Sequence, residues 1–175
     1  MTKPTLNIIG CGKLAQTLAK LWTTSSTIKL QSVLNQTPAS AQRAVEFIGV
    51  GQPIATLAAM RPADLYLIAT VDDQITASCE ALAASGKLNQ NSIVFHCSGA
   101  LSSDVLASAK QQGAATASIH PIRSFANPQQ VVENFNDTWC GSEGDDDALA
   151  VLIPAFNSIG AQCIAITREN KTLYH

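Results

Sequence analysis

The chain has 175 residues, 46% of them apolar and 14% charged, and a formal net charge of −2. That is enough for one domain with a substantial core, and the balance excludes a disordered or fibrous chain. No apolar run reaches the roughly 18 residues of a membrane-spanning helix, and no basic–aromatic stripe marks a nucleic-acid binder, so neither a membrane nor a nucleic acid is expected as a partner.

The five cysteines, Cys11, Cys79, Cys97, Cys140 and Cys163, are odd in number and form no C-x-x-C pair. They read as reduced thiols of a cytoplasmic protein, and no metal site is expected. Thr2, Lys3 and Pro4 lead directly into the first apolar run, which leaves no room for a signal peptide.

Residues 6–10 predict the first strand. The string Gly10-Cys11-Gly12-Lys13-Leu14-Ala15 follows it and has the spacing G-x-G-x-x-A. The first glycine permits a tight turn, the second lets backbone approach a pyrophosphate, and the small Ala15 lets the next helix pack closely. A helix over 13–22, with Leu14, Leu18, Leu21 and Trp22 on one face, then points its N-terminal N–H groups at the phosphates. Up to Val45 the chain carries Lys3, Lys13, Lys20, Lys29 and Arg43 and no acid. A basic first unit suits a phosphate-rich ligand; a solvated basic face is the other reading.

Residues 28–34 predict a second strand, 39–47 a second helix and 53–55 a short third strand. A strong fourth strand is expected over 64–70, a helix over 74–85 and a fifth strand over 91–97. A helix over 101–112 and a sixth strand over 114–120 follow. Residues 121–136 read as irregular; 137–141, 145–159 and 161–167 read as strand, helix and strand. Asp145, Asp146 and Asp147 fall in that helix's first turn, where the helix dipole favours anions. The alternation predicts a doubly wound α/β fold with a mainly parallel sheet and two or three extra edge strands.

In such a sheet, ligands sit beyond the carboxyl ends of the strands at the switch in strand order. That rule selects Gly10, Gly12, Lys13, Leu14 and Ala15 after the first strand. It adds Asn35, Gln36 and Thr37 after the second, and Thr70, Val71 and Asp72 after the fourth, all as cofactor-binding candidates. An NAD-selecting enzyme usually places Asp or Glu at the end of the second strand for the ribose 2′-hydroxyl. Asn35 stands there instead, and Arg43 lies two turns into the next helix, so NADP is favoured and NAD remains open. A surface role for Arg43 is the other reading.

After the fifth and sixth strands come Cys97, Ser98 and Gly99, and His120, Pro121 and Arg123. His120 is the general acid/base candidate, because its ordinary pKa lies near neutrality; capping a loop is its alternative. Ser98 would orient a substrate oxygen or nitrogen, with Gly99 beside it; Arg123 reads by default as a surface loop arginine, with a clamp on a substrate carboxylate as its functional reading. Cys97 could instead serve as a thiol nucleophile. His96 points oppositely to Cys97 and reads as structural.

The motifs in order are Gly10–Ala15, then Ala69-Thr70-Val71-Asp72-Asp73-Gln74-Ile75 and His96-Cys97-Ser98-Gly99-Ala100-Leu101. Ser118-Ile119-His120-Pro121-Ile122 and Lys171-Thr172-Leu173-Tyr174-His175 follow. This order resembles oxidoreductases that carry a Rossmann-like domain followed by a helical domain of unknown function. They are similar to the 6-phosphogluconate dehydrogenase-like superfamily, near pyrroline-5-carboxylate and ketopantoate reductases.

The resemblance implies a Rossmann-like dinucleotide-binding domain over 1–167, with 168–175 the start of a helical domain that is otherwise missing here. That domain would close the substrate site and make the full-length protein a homodimer. Lys171 and Tyr174 match its first helix; Lys171 would act on the substrate and Tyr174 would contact it. Ser98 and His120-Pro121 look like the serine and histidine–proline elements of prephenate dehydrogenases. The expected function is NAD(P)-dependent hydride transfer to or from a small carbonyl, hydroxyl or imine carbon. A non-catalytic nucleotide-sensing module is the alternative.

Overall fold

A computed structural model describes residues 2–171. Strands and helices alternate as β1 (Thr5–Ile9), α1 (Lys13–Thr24), β2 (Lys29–Leu34), α2 (Pro38–Ile48), β3 (Gln52–Ile54), β4 (Leu65–Ile68) and α3 (Asp72–Ala84). They continue as β5 (Ile93–His96), α4 (Ala107–Gln111), β6 (Ala115–Pro121), α5 (Pro128–Asn134), β7 (Thr138–Gly144), α6 (Asp146–Asn157) and β8 (Ala161–Ala165). The eight strands form one sheet in the order β3-β2-β1-β4-β5-β6-β7-β8. Among the described residues only β6 and β7 pair antiparallel. The fold is the expected doubly wound α/β, with β7 and β8 as the extra edge strands.

The central strands are mainly apolar because both faces are covered. Side chains alternate: Leu6, Ile8, Leu65, Leu67, Ile93 and Phe95 face one side, and Ile9, Tyr66, Ile68 and Val94 the other. The first side is covered by α1, α2, α5 and α6, through residues such as Leu18, Trp22, Ala41, Val131 and Phe156. The second is covered by α3 and α4, through Ile75, Cys79, Leu82 and Ala109. Trp22 anchors the first layer. Its ring meets Phe95 and Phe156 edge-on at 6.4 and 5.1 Å, and its indole N–H donates to the Ala155 carbonyl at 3.0 Å.

Three expectations change. Residues 121–136 are not irregular throughout: Asn127 accepts the Gln130 N–H and Pro128 opens α5. The helix expected over 101–112 is broken. Ser102 caps a 3₁₀ turn over Ser103–Leu106, because the N–H and hydroxyl of Ser103 are both held by Glu143. The strand expected over 137–141 runs to Gly144, since pairing with β6 continues as far as Ala117. No helix among the described residues is long and apolar enough to cross a membrane.

Candidate functional site

The sheet order reverses between β1 and β4, and the turn after β1 opens the crevice there. Gly10 sits at φ +81°, and a Cβ on it would lie 2.6 Å from Thr70 Cγ2 and 2.7 Å from Thr70 N. Only glycine lets the turn press this closely on the end of β4. The Cys11 N–H donates to Asn35 Oδ1 at 2.6 Å. Cys11 itself is buried, and burial pushes its thiol up to about 12.

Gly12 caps α1 with extended backbone, and no side chain caps that helix. A Cβ on Gly12 would meet nothing within 4 Å. The cradle is therefore open above the helix N-terminus, while Ala15, fully buried, lets α1 lie close to the sheet.

A cleft of about 700 Å³ extends from this cradle, lined by Gly10, Gly12, Asn35, Gln36, Arg43, Thr70 and Val71 among others. The Thr70 hydroxyl, also at the cleft, is buried with no hydrogen-bond partner among the described residues. Sequence reasoning missed Gln16, Ser40 and Thr56, isolated polar residues that belong to no motif, and Gln74, which stands inside the motif at 69–75 but carries no binding role there; all four line the same cleft. Lys13, Leu14, Ala15, Thr37 and Asp72 do not line it. Thr37 instead caps α2 by accepting the Ser40 N–H at 3.2 Å.

Asp72 begins α3 and accepts a hydrogen bond from Ser98 Oγ at 2.9 Å. That hydroxyl also accepts the N–H groups of Ala100 and Leu101, each at 3.1 Å. Ser98 thus ties the loop after β5 to the start of α3. His96 is fully buried. Its Nδ1 accepts the Ser98 N–H at 3.1 Å, so Nε2 carries the proton and donates to Ser102 O at 3.0 Å. Burial lowers His96 to about 4 and keeps it neutral.

His120 lies one strand over, its Nδ1 3.2 Å from the Cys97 carbonyl. A carbonyl only accepts, so Nδ1 is the protonated nitrogen of the neutral ring and Nε2 the basic one. His120, Gly99 and Lys171 share a small recess whose other walls include Ile122, Ile164 and Ile166. Cys97 is buried and its thiol is pushed up to about 12, which deprives the thiol-nucleophile reading of its thiolate.

Lys171 is buried. Its ammonium donates to the Leu101 carbonyl and to Ser118 Oγ, with Glu143 Oε1 at 3.8 Å. Burial lowers Lys171 to about 8, against the opposing pull of Glu143, Cys97 and Asp72. Arg123 turns away from the cleft. Its Nη1 donates to Asn134 O and Thr138 Oγ1, at 2.8 and 3.2 Å, and its Nη2 to Asn134 Oδ1 at 2.7 Å. These bonds fasten α5 to β7. Tyr174 lies outside the described residues.

The family model of the Rossmann-like domain matches residues 2–121, from the first strand to the end of β6. The chain belongs to the Rossmann-like domain family. Curated proteins give no match. Among solved structures, this Rossmann-like domain is similar to a Bacteroides fragilis protein described as an NADP oxidoreductase. The two share 18% identity at a TM-score of 0.84, over 99% of this chain and 64% of that one.

It is also similar to Aquifex aeolicus prephenate dehydrogenase in complex with hydroxyphenyl propionate and NAD+. There the identity is 13% and the TM-score 0.80, over 98% of this chain and 62% of that one. A pyrroline-5-carboxylate reductase from Coxiella burnetii matches at 14% identity and a TM-score of 0.74, over 98% and 62%. At these identities the likeness shows the fold, and the chain spans less than two thirds of each structure's length.

The Rossmann-like domain fits a dinucleotide on its own geometry. The cradle at Gly12 is open, α1 is uncapped, and the orphaned Thr70 hydroxyl lies at the same cleft.

Proposed function

We propose that the chain is the dinucleotide-binding part of an NAD(P)-dependent oxidoreductase acting on a small carbonyl, hydroxyl or imine compound. The observation that carries this is the open, uncapped cradle at Gly12 at the switch point of the sheet. The N–H groups of the first turn of α1 would hold the diphosphate, together with the helix dipole.

Thr70 and Val71 would bound the cofactor on the β4 side and Gln36, Ser40 and Arg43 on the β2 side. Asn35 offers no carboxylate and is held by Cys11, and Arg43 lines the cleft; both features favour NADP over NAD. When bound, the nicotinamide supplies the hydride chemistry.

The chain's own side chains supply the rest. His120 exchanges the substrate proton at Nε2, with its ring oriented by the Nδ1–H bond to the Cys97 carbonyl. Lys171 presents a cation beside the same recess, where it favours negative charge growing on a substrate oxygen. Ser98 acts through the loop: its bonds to Asp72, Ala100 and Leu101 set Gly99 against the recess. A helical domain following residue 168 would cover the recess and dimerise the protein.

The test is NADPH oxidation across a panel of oxo acids and cyclic imines, with NADH run in parallel. Turnover that is lost in His120→Ala while NADPH binding persists supports the assignment. Unchanged turnover in that variant removes His120 from the reaction.

A further inference from the structure

Three polar side chains stand in register across the central strands: His96 opposite Ser118, and Ser118 opposite Glu143. They are 0%, 0% and 5% exposed. Directly opposed residues share a face of the sheet, so the three make a buried polar row. Lys171 meets this row at its middle, donating to Ser118 Oγ and to the Leu101 carbonyl.

Glu143 is the row's one carboxylate, and its oxygens are held by four groups. The Ser103 N–H donates to Oε1 at 2.6 Å and the Ser103 hydroxyl to Oε2 at 2.8 Å. Arg168 Nε lies 3.4 Å from Oε2 and Lys171 Nζ 3.8 Å from Oε1. A carboxylate this buried is costly unless bonded and matched in charge. Here both its charge partners come from the segment after β8, which crosses back over the sheet.

We propose that Glu143 is a positioning residue that holds Lys171 beside the recess formed with Gly99 and His120. Its significance for turnover rests on the function proposed above; the placement itself does not. The charged or titratable groups facing Lys171 include Glu143 from β7, Asp72 from α3 and Cys97 after β5, with His96 of β5, His120 of β6 in the same recess, and Arg168 on the same carboxylate. His96 of β5 is neutral and Cys97 is a thiol, so Glu143 is the buried anion that opposes the desolvation of the ammonium. Without it, burial acts with less opposition and the ammonium loses its proton at lower pH.

The test follows the Cε resonance of Lys171 by NMR through a pH titration of the chain labelled with ¹³C-lysine, assigned by its loss in Lys171→Arg. The parent titrates near 8. Glu143→Gln keeps an acceptor for Ser103 and removes the charge. Its midpoint moves down by about one pH unit, and kcat falls with little change in KM.

Glu143→Asp withdraws the carboxylate by one methylene and gives a smaller shift in the same direction, so it stands in should the glutamine variant fail to fold. A purely structural role would lower the melting temperature and leave the Lys171 midpoint where it is. That outcome, in either folded variant, overturns the proposal. A chain that turns over no substrate and yet shows the shift would defeat the proposed function and leave the placement of Lys171 by Glu143 standing.

Discussion

The Asn35 side chain accepts the backbone N–H of Cys11 at 2.6 Å, which ties the end of β2 to the glycine-rich turn. Asn35 occupies the place where NAD-selecting enzymes usually keep a carboxylate. Held this way, it shapes the cradle, while Gln36, Ser40 and Arg43 line the cleft beside it.

Cofactor preference follows from that arrangement. Asn35→Asp retains the acceptor for Cys11 and adds a charge that repels a 2′-phosphate. The ratio of NADH to NADPH affinity rises about tenfold or more, since one lost or reversed charge contact is worth roughly 1–3 kcal/mol. Arg43→Ala weakens NADPH and leaves NADH alone. Titration of both variants with both nucleotides, followed by fluorescence, checks this; an unchanged ratio would contradict it.

The two glycines of the turn separate stability from binding. Gly10→Ala forces a Cβ to within 2.6 Å of Thr70 at φ +81°, and costs about 2 kcal/mol or more in urea unfolding. Gly12→Ala meets no atom within 4 Å and changes stability by less than about 0.5 kcal/mol. It does fill the space a diphosphate would enter, so NADPH affinity falls at least about tenfold. A Gly12→Ala protein that binds as tightly as the parent would show the cradle is unused.

Acid should weaken the fold through His96. Its folded value of about 4 lies below the ordinary 6.5, so between those values the unfolded chain binds a proton that the folded chain refuses. The contribution is fully present above pH 6.5 and is lost as pH falls toward 4, for a total of about 3 kcal/mol at most. Urea unfolding at pH 7.5, 5.5 and 4 measures the loss. His96→Gln flattens it; an equal loss in that variant would assign the pH dependence to other groups.

The cysteines should differ in reactivity. Burial pushes Cys11 and Cys97 up to about 12, while Cys163 is lowered by the Cys140 thiol beside it, against its own burial. Iodoacetamide at pH 8, read by mass spectrometry, labels Cys163 first, with Cys11 and Cys97 slower than a free thiol by a hundredfold or more, on the order of their thiolate fractions. Fast labelling of Cys97 would restore the thiol-nucleophile reading.

The central strands and the turn after β1 were legible because their signals are local. Residues 65–68 and 93–95 are apolar runs buried on both faces, and Gly10 and Gly12 carry a backbone requirement visible in the spacing. The polar row was not legible. Ser118 and Glu143 lie 25 positions apart, and only the antiparallel register of β6 and β7 brings them together.

Glu143 did leave one trace, an acid inside a strand otherwise made of small and apolar residues, Thr138–Gly144. The break in the helix expected over 101–112 has the same non-local cause, since Glu143 takes the N–H and hydroxyl of Ser103. Arg123 shows the converse. A loop arginine near strand ends suits a substrate clamp by position, yet Asn134 and Thr138 hold its terminal nitrogens. In α5 the Asn127-Pro128 start was a local signal, hidden by the shortness of the helix.

The most direct test of the central claim is an amide NMR titration with NADPH. If residues 10–15 cradle a diphosphate, saturable shifts concentrate on the amides of Gly12, Lys13 and Leu14 and on Thr70 across the turn. If those amides stay still at millimolar NADPH, and at millimolar NADH as well, the cradle holds no dinucleotide and the oxidoreductase reading fails.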